Sequence, residues 1–250
     1  MKIAAACVAA VASLLLLCGP ALAYRPFDGT DADVAALHEI ELEIGPAGYL
    51  RAGTERAIVA PALVANWGFA RRLELVLAGR NAIDVDPPAG QSRIHLVDTQ
   101  LSVKWLMRTG SLQGMPGVSV ASEWTVLLPE SGDRAVGGEV ATIVSQRWTN
   151  ATLHANGAAS LSRRRTAELF AGLIAEGPGA WPVRPVAEAF IDWDRGGTRT
   201  LSALAGAIWP IRESLALDAA VRLARATDSV GPASDTFEAR LGFTWSFATG

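Results

Sequence analysis

One pattern limits what this chain can fold into. Apolar and polar residues alternate at period two, in stretches of about ten residues, and the pattern returns twelve times. Val97, Thr99, Leu101, Val103, Trp105 and Met107 oppose Asp98, Gln100, Ser102 and Lys104. Near the C-terminus Phe237, Ala239, Leu241, Phe243, Trp245 and Phe247 oppose Glu238, Arg240, Gly242, Thr244 and Ser246. Period two means strands with one apolar and one polar face, each about long enough to cross a bilayer at a tilt. Beyond the N-terminus no run of 18 apolar residues occurs, which excludes a helical membrane protein.

The expected strands are 37–45, 56–67, 71–80, 93–107, 116–128, 138–148, 151–162, 166–176, 184–194, 198–209, 213–224 and 236–247. Turn chemistry separates them: Gly45-Pro46, Asp86-Pro87-Pro88, Ser131-Gly132-Asp133, Gly177-Pro178-Gly179, Arg195-Gly196-Gly197 and Gly231-Pro232. Pro61 blurs the second strand. The fold class is all-β, a transmembrane antiparallel β-barrel of about 12 strands. The competing class is a soluble β-sandwich.

The N-terminus reads as a cleavable secretory signal peptide over 1–23: Lys2, an apolar run over 3–17, and Ala21-Leu22-Ala23 before Tyr24. Both cysteines, Cys7 and Cys18, fall inside it, so the mature chain has neither disulfide nor thiol chemistry. Residues 24–36 are expected as an N-terminal periplasmic segment, and 37–250 as the barrel. Export and a barrel together point to the outer membrane of a Gram-negative cell.

Tryptophan placement favours the membrane class. With both termini in the periplasm, every even strand ends on the periplasmic side. Trp67, Trp105, Trp148, Trp209 and Trp245 close even strands, Trp181 lies in the turn after the eighth, and Trp193 marks the opposite edge. That is an aromatic girdle, and a sandwich gives no reason for the preference.

The opposite faces supply the lumen. Expected inward acids include Glu41, Glu74, Asp98, Glu123, Glu168, Glu188, Asp218 and Glu238, and the bases Lys104, Arg147, Arg222 and Arg240. Acids exceed bases, so a pore would favour cations or neutral solutes. Paired charges filling a closed lumen are the alternative. Lys104 is the one lysine of the mature chain, and no basic stripe indicates nucleic acid.

Catalytic, metal and cofactor sites are not expected. The histidines are His38, His95 and His154, and none has a serine two residues away on its own strand face. This disfavours an outer-membrane lipid hydrolase. Glu39-Glu41-Glu43 has a spacing open to Ca²⁺, but three acids on one strand face more often line a hydrated wall. Arg163-Arg164-Arg165 reads either as a solvated turn or as a partner for lipopolysaccharide phosphates.

Arg240, Gly242, Trp245 and Phe247 resemble the C-terminal signal read by the barrel assembly machinery, although Ala248-Thr249-Gly250 follow the last aromatic. Further stretches occur in a family's order: "RPFDGTDADVAALHEIELEIG", "NWGFARRLELVLA", "DTQLSVKWLM", "LLPESGD" and "LHANG". Together they resemble the outer-membrane "transporter" family of phenol meta-degradation-pathway (MetA-like) proteins. Glu130 stands where many members have Thr. The resemblance implies an outer-membrane barrel that passes small, often hydrophobic or aromatic molecules. The expected function is a porin-like passive channel or transporter, its solute unnamed; a structural or surface-interacting barrel with a filled lumen is the alternative.

Overall fold

The computed structural model describes residues 26–228 and 231–249, so the signal peptide lies outside the described residues. Twelve antiparallel strands follow one another around a closed ring: β1 Glu39–Ala52, β2 Glu55–Ala70, β3 Leu73–Asp84, β4 Ile94–Arg108, β5 Ser119–Leu127, β6 Gly137–Arg147, β7 Thr152–Leu161, β8 Ala167–Glu176, β9 Arg184–Asp194, β10 Arg199–Arg212, β11 Leu215–Thr227 and β12 Ser234–Ala248. Each strand pairs with its chain neighbours, and β12 returns to β1 along twelve residue pairs, Glu39↔Ala248 to Ala52↔Thr236. No edge remains, which is what a sheet surrounded by hydrocarbon requires. Beyond the ladder, the Thr249 amide and hydroxyl both donate to the His38 carbonyl, so residues after the last aromatic clasp the seam.

Polarity is inverted relative to a soluble protein. Lys104, Glu43 and His154 are among the most buried side chains, while Leu201, Trp124 and Leu223 are more than half exposed. The apolar faces point outward and the polar faces inward, an arrangement suited to lipid outside and a polar interior. The closed barrel expected from the sequence is thereby observed, and the competing sandwich with open edges is excluded.

Bulges explain where the expected strand limits fail. Gly45-Pro46 was expected as a turn, but β1 runs through it to Ala52 with a register shift between Ile44 and Ala47. β2 shifts between Val59 and Ala62, around Pro61, and the two irregularities face each other, since Gly45 pairs with Ala62 and Gly48 with Val59. Proline cannot donate to a ladder but is accommodated at a bulge. β4 bulges at Asp98, where φ is 53°, against a shift at Ala78/Arg80 of β3. This turns Thr99, expected outward, into the wall, where its hydroxyl donates to the Leu128 and Pro129 carbonyls.

The N-terminal segment, expected in the periplasm, lies from Pro26 onward inside the barrel, as a strap across the half of the lumen nearest the termini. The long connection between β4 and β5 folds a 3-10 turn, Ser111–Gln113, beneath it. Leu112 there packs with Ala32 of the strap, Ala121 and Ile143.

Val221 is central in β11 and outward, while Leu217 pairs with Trp209 near the rim. Val221→Arg is expected to cost roughly 2–4 kcal/mol on refolding into lipid, and Leu217→Arg about 1 kcal/mol or less. Urea titration in vesicles measures both, and equal costs would contradict this depth assignment.

Candidate functional site

The strap has no ladder of its own, so side chains on the wall satisfy its backbone. The Glu188 carboxylate accepts the Asp28 and Gly29 amides at 2.9 and 2.7 Å. Asn156 takes both backbone polar groups of Thr30: its Oδ1 accepts the amide at 3.0 Å and its Nδ2 donates to the carbonyl at 2.8 Å. Ser145 Oγ accepts from the Ala32 amide at 2.9 Å, and Glu74 accepts from the Ala35 amide. Gln113 Nε2 reaches Asp33 at 2.9 Å. At the far end Arg240 donates to the Pro26 carbonyl at 2.7 Å and to Asp28 at 2.8 Å, and Phe27 packs on Val186, Ile208 and Ala216. Because these groups come from β3, β6, β7, β9 and β12, the strap is tied around the ring rather than to one wall.

One glycine is required by this approach. A Cβ on Gly68 would lie 2.0 Å from the Ala36 carbonyl oxygen and 2.5 Å from that of Ala35. Only a residue without a side chain lets β2 pass so close to the strap.

Lys104, expected in the lumen, is 1% exposed, with Nζ 3.4 Å from Thr30 Oγ1 and 3.6 Å from Asp31 Oδ1. Its cross-strand neighbours are Glu74 and Glu123. Asp31, on the strap rather than on a spanning strand, has its carboxyl pushed up to about 7 by burial, against the downward pull of His154.

Ser145, His154 and Glu176 form a chain that sequence spacing does not reveal. Ser145 Oγ lies 2.8 Å from His154 Nδ1, and His154 Nε2 lies 3.0 Å from Glu176 Oε1. The serine and histidine meet across β6 and β7, where Ser145 pairs with His154. This is the connectivity of a hydrolase triad. Yet Ser145 is fully buried, and its oxygen already accepts the Ala32 amide. In this arrangement the trio holds the strap. Arg184 extends it, pairing with Glu176 at 2.9 Å.

Beyond the strap lies a lumen cavity of about 590 Å³. The strap's residues 26–30 border it, and of the expected lumen set Glu74, Asp98, Lys104, Glu123, Glu168, Arg222, Glu238 and Arg240 line it. Glu188 and Asp218 are buried on the inner face but do not border the cavity; Glu41 is buried at the strap's level, and Arg147 sits exposed at the rim, reaching the Leu112 carbonyl. Arg163, expected with Arg164 and Arg165 as a solvated turn or a lipopolysaccharide partner, instead turns inward and binds the Leu128 and Thr99 carbonyls, each at 2.7 Å, and Glu130 at 3.4 Å. Glu130 in turn accepts the Asp98 amide.

The two sides of the cavity differ in charge. On β3, β11 and β12, Arg80, Arg222 and Arg240 converge on Glu238, with Asp98 and Asp28 completing the pairing. On β5, β6, β8 and β9, Glu123, Glu139, Glu168 and Asp192 line or face the same space without an ion pair within 4 Å among the described residues. Phe170 and Phe190 sit among these acids, ring centroids 5.1 Å apart. No group of three or more His, Cys, Asp or Glu among the described residues is arranged to hold a metal ion.

At the outer surface Trp67, Trp105, Trp148 and Trp209 are exposed near the end bearing the termini, and Trp193 near the other. Trp245 points outward and packs against Phe247 with ring centroids 4.9 Å apart, while Gly242 lies buried on the opposite face of the same strand. Trp124, 61% exposed on β5, was not assigned from sequence.

Comparison with known proteins adds the fold. No protein-family model and no curated protein matches the chain. Among solved structures it is similar to the COG4313 outer membrane channel from Pseudomonas putida F1, at 10% identity and a TM-score of 0.60, over 89% of this chain and all of that one. It is also similar to the KdgM porin, at 9% identity and a TM-score of 0.54, over 83% of this chain and 99% of the porin. The fold is that of the outer-membrane β-barrels. Within it, the strap's anchors are the testable element. Asn156→Ala removes both bonds to Thr30 and should loosen the strap by about 1–3 kcal/mol. Gly68→Ala should loosen it further through the clash. Hydrogen exchange at residues 28–36 should then speed up while the β10 and β11 amides stay protected.

Proposed function

We propose that this chain is a passive outer-membrane channel for small molecules, with the termini on the periplasmic side and the strap as its constriction. The observation that carries the reading is the polar cavity of about 590 Å³, bordered on one side by a strap held through side chains rather than by a ladder. Such a segment can leave without breaking the wall, because none of the ring's ladder bonds involves it. Likeness to a COG4313 channel and to a porin supports the reading at the level of fold. The tryptophans at the two rims serve as the membrane girdle, and the outward Trp245–Phe247 pair with Gly242 and Arg240 serves as the recognition signal for barrel assembly.

Resemblance to the MetA-like family extends the proposal to hydrophobic or aromatic solutes. Phe170, which borders the cavity and packs against Phe190, is the lumen surface such a solute would touch. Charge adds a preference. The arginines of one wall are matched by Glu238, Asp98 and Asp28, while the acids of the other are not matched, so the cavity is net negative and low-dielectric walls focus that field. Glu188, whose carboxylate is engaged by the strap amides, belongs to the anchors rather than to this acidic wall.

Planar-bilayer recording tests both parts. The full protein should conduct weakly, and deleting residues 26–36 should raise conductance severalfold. Reversal potentials across a salt gradient should show cation preference at low salt, fading as the Debye length shortens toward ~3 Å near 1 M. Glu139→Gln with Asp192→Asn should weaken the preference. The closed structural barrel is the second reading, and the inserted strap is the observation that favours it. Silence with and without the strap would establish it and defeat the channel.

A further inference from the structure

The outer wall over β6 to β10 carries a groove that the channel reading does not use. Two cross-strand rows of outward residues define it. Val140, Ala159, Leu169 and Trp193 pair in succession, ending on Arg199 of β10. Below them run Thr142, Gly157, Ala171 and Ile191. Gly157, Ala159 and Ala171 are small while Val140, Leu169, Ile191 and Trp193 stand tall around them, leaving a depression of about 740 Å³ on the outward surface. It is mainly apolar, except that Arg199 borders it.

The rim above the groove is basic. Arg164 and Arg165 occupy the turn joining β7 to β8, directly beyond the Ala159↔Leu169 pair. Arg195 lies in the turn joining β9 to β10, and its amide donates to the Ala167 carbonyl at 2.8 Å, which draws that turn over β8. Arg164, Arg165, Arg195 and Arg199 are exposed, and among the described residues none has a carboxylate within ion-pair distance. Of the acids at this end of β8 and β9, Glu168 and Asp192 line the lumen, and Asp194 accepts the Gly196 amide within the turn. Arg163, the first of the triplet, is engaged inside and contributes nothing here.

We infer that this face binds a phosphorylated, multiply acylated glycolipid of the outer leaflet, of the lipid A type. One acyl chain lies in the groove against Gly157 and Ala171, with Trp193 at the level of the headgroup. The guanidinium groups of Arg164, Arg165, Arg195 and Arg199 bind its phosphates through charge-assisted, bidentate hydrogen bonds. Charge complementarity selects the occupant: an apolar slot topped by unpaired arginines fits an anionic lipid, and a groove on the half of the barrel away from the termini meets the outer leaflet.

The test uses the whole protein in phosphatidylcholine vesicles containing purified lipid A, or phosphatidylglycerol at equal charge, or neither. Lipid A should raise the thermal unfolding midpoint and remain bound in native mass spectrometry, and phosphatidylglycerol should do so far less. The combined variant R164Q/R165Q/R195Q/R199Q should weaken lipid A retention about tenfold or more. Gly157→Leu should weaken it too. A Cβ at Gly157 meets nothing within 4 Å, so this variant fills the groove without straining the fold. The single change Arg199→Gln serves as a milder variant should the fourfold one fold poorly. Equal stabilisation by phosphatidylglycerol would overturn the proposal, as would retention unchanged by the arginine variants. Loss in the arginine variants alone, with Gly157→Leu unaffected, would overturn the acyl seat.

Discussion

Hydrocarbon offers no partner for a peptide group, so every backbone amide and carbonyl of the wall must find one within the sheet. Closure of β12 onto β1 meets that demand, and the rest follows from it. Once the ring is closed, the pleat sends alternate side chains to two solvents. The interior can then be as polar as the sequence makes it, and Glu43, Lys104, His154 and Glu238 are nearly or wholly buried there. In a soluble core the same four would be an error. Here Glu43 accepts from Asn66, His154 sits between Ser145 and Glu176, Glu238 meets three arginines, and Lys104 meets Thr30 and Asp31 of the strap.

The strap meets the same demand by another route. A segment lying across a lumen cannot join the ladder, so its amides and carbonyls must be satisfied one at a time. Carboxylates accept amides in pairs at Glu188, and a carboxamide imitates a neighbouring strand at Asn156. Each such bond is worth about 1 kcal/mol net, more where a charge takes part. Bonds of that size hold a segment firmly without making it part of the ring. The triad-like chain through Ser145 and His154 belongs to this scheme, because its oxygen is occupied by Ala32 and its acid is shared with Arg184.

Period-two reading recovered the faces of the strands because a face depends only on a residue's own position in the pleat. It could not recover register, which depends on two strands together. The Ser145–His154 contact and the convergence of Arg80, Arg222 and Arg240 on Glu238 were therefore invisible, although each residue's inward direction was legible for Arg222, Glu238 and Arg240. Gly45-Pro46 has the composition of a turn, and only its partner strand shows it to be a bulge. The strap was missed because residues 26–37 have no periodicity, and an aperiodic polar stretch looks the same in solvent as in a polar lumen. A hint was present in Asp28, Asp31 and Asp33, three acids facing a wall that supplies Arg240, Lys104 and Gln113.

Alternation also separates what the two surfaces of one strand can do. On β8, Glu168 and Phe170 face the cavity while Leu169 and Ala171 face the groove. A change at an even position alters lumen charge and leaves the lipid surface intact, and a change at an odd position does the converse. The separation is imperfect where side chains are smallest. Ala158 and Phe170 border both spaces, because with Gly157 beside them the wall is reduced to backbone thickness. The β7–β8 ladder is unbroken there, from Thr152↔Glu176 to Leu161↔Ala167. The thin wall is therefore a barrier held by hydrogen bonds rather than by packing. A lipid chain seated in the groove would add the packing that the sequence leaves out.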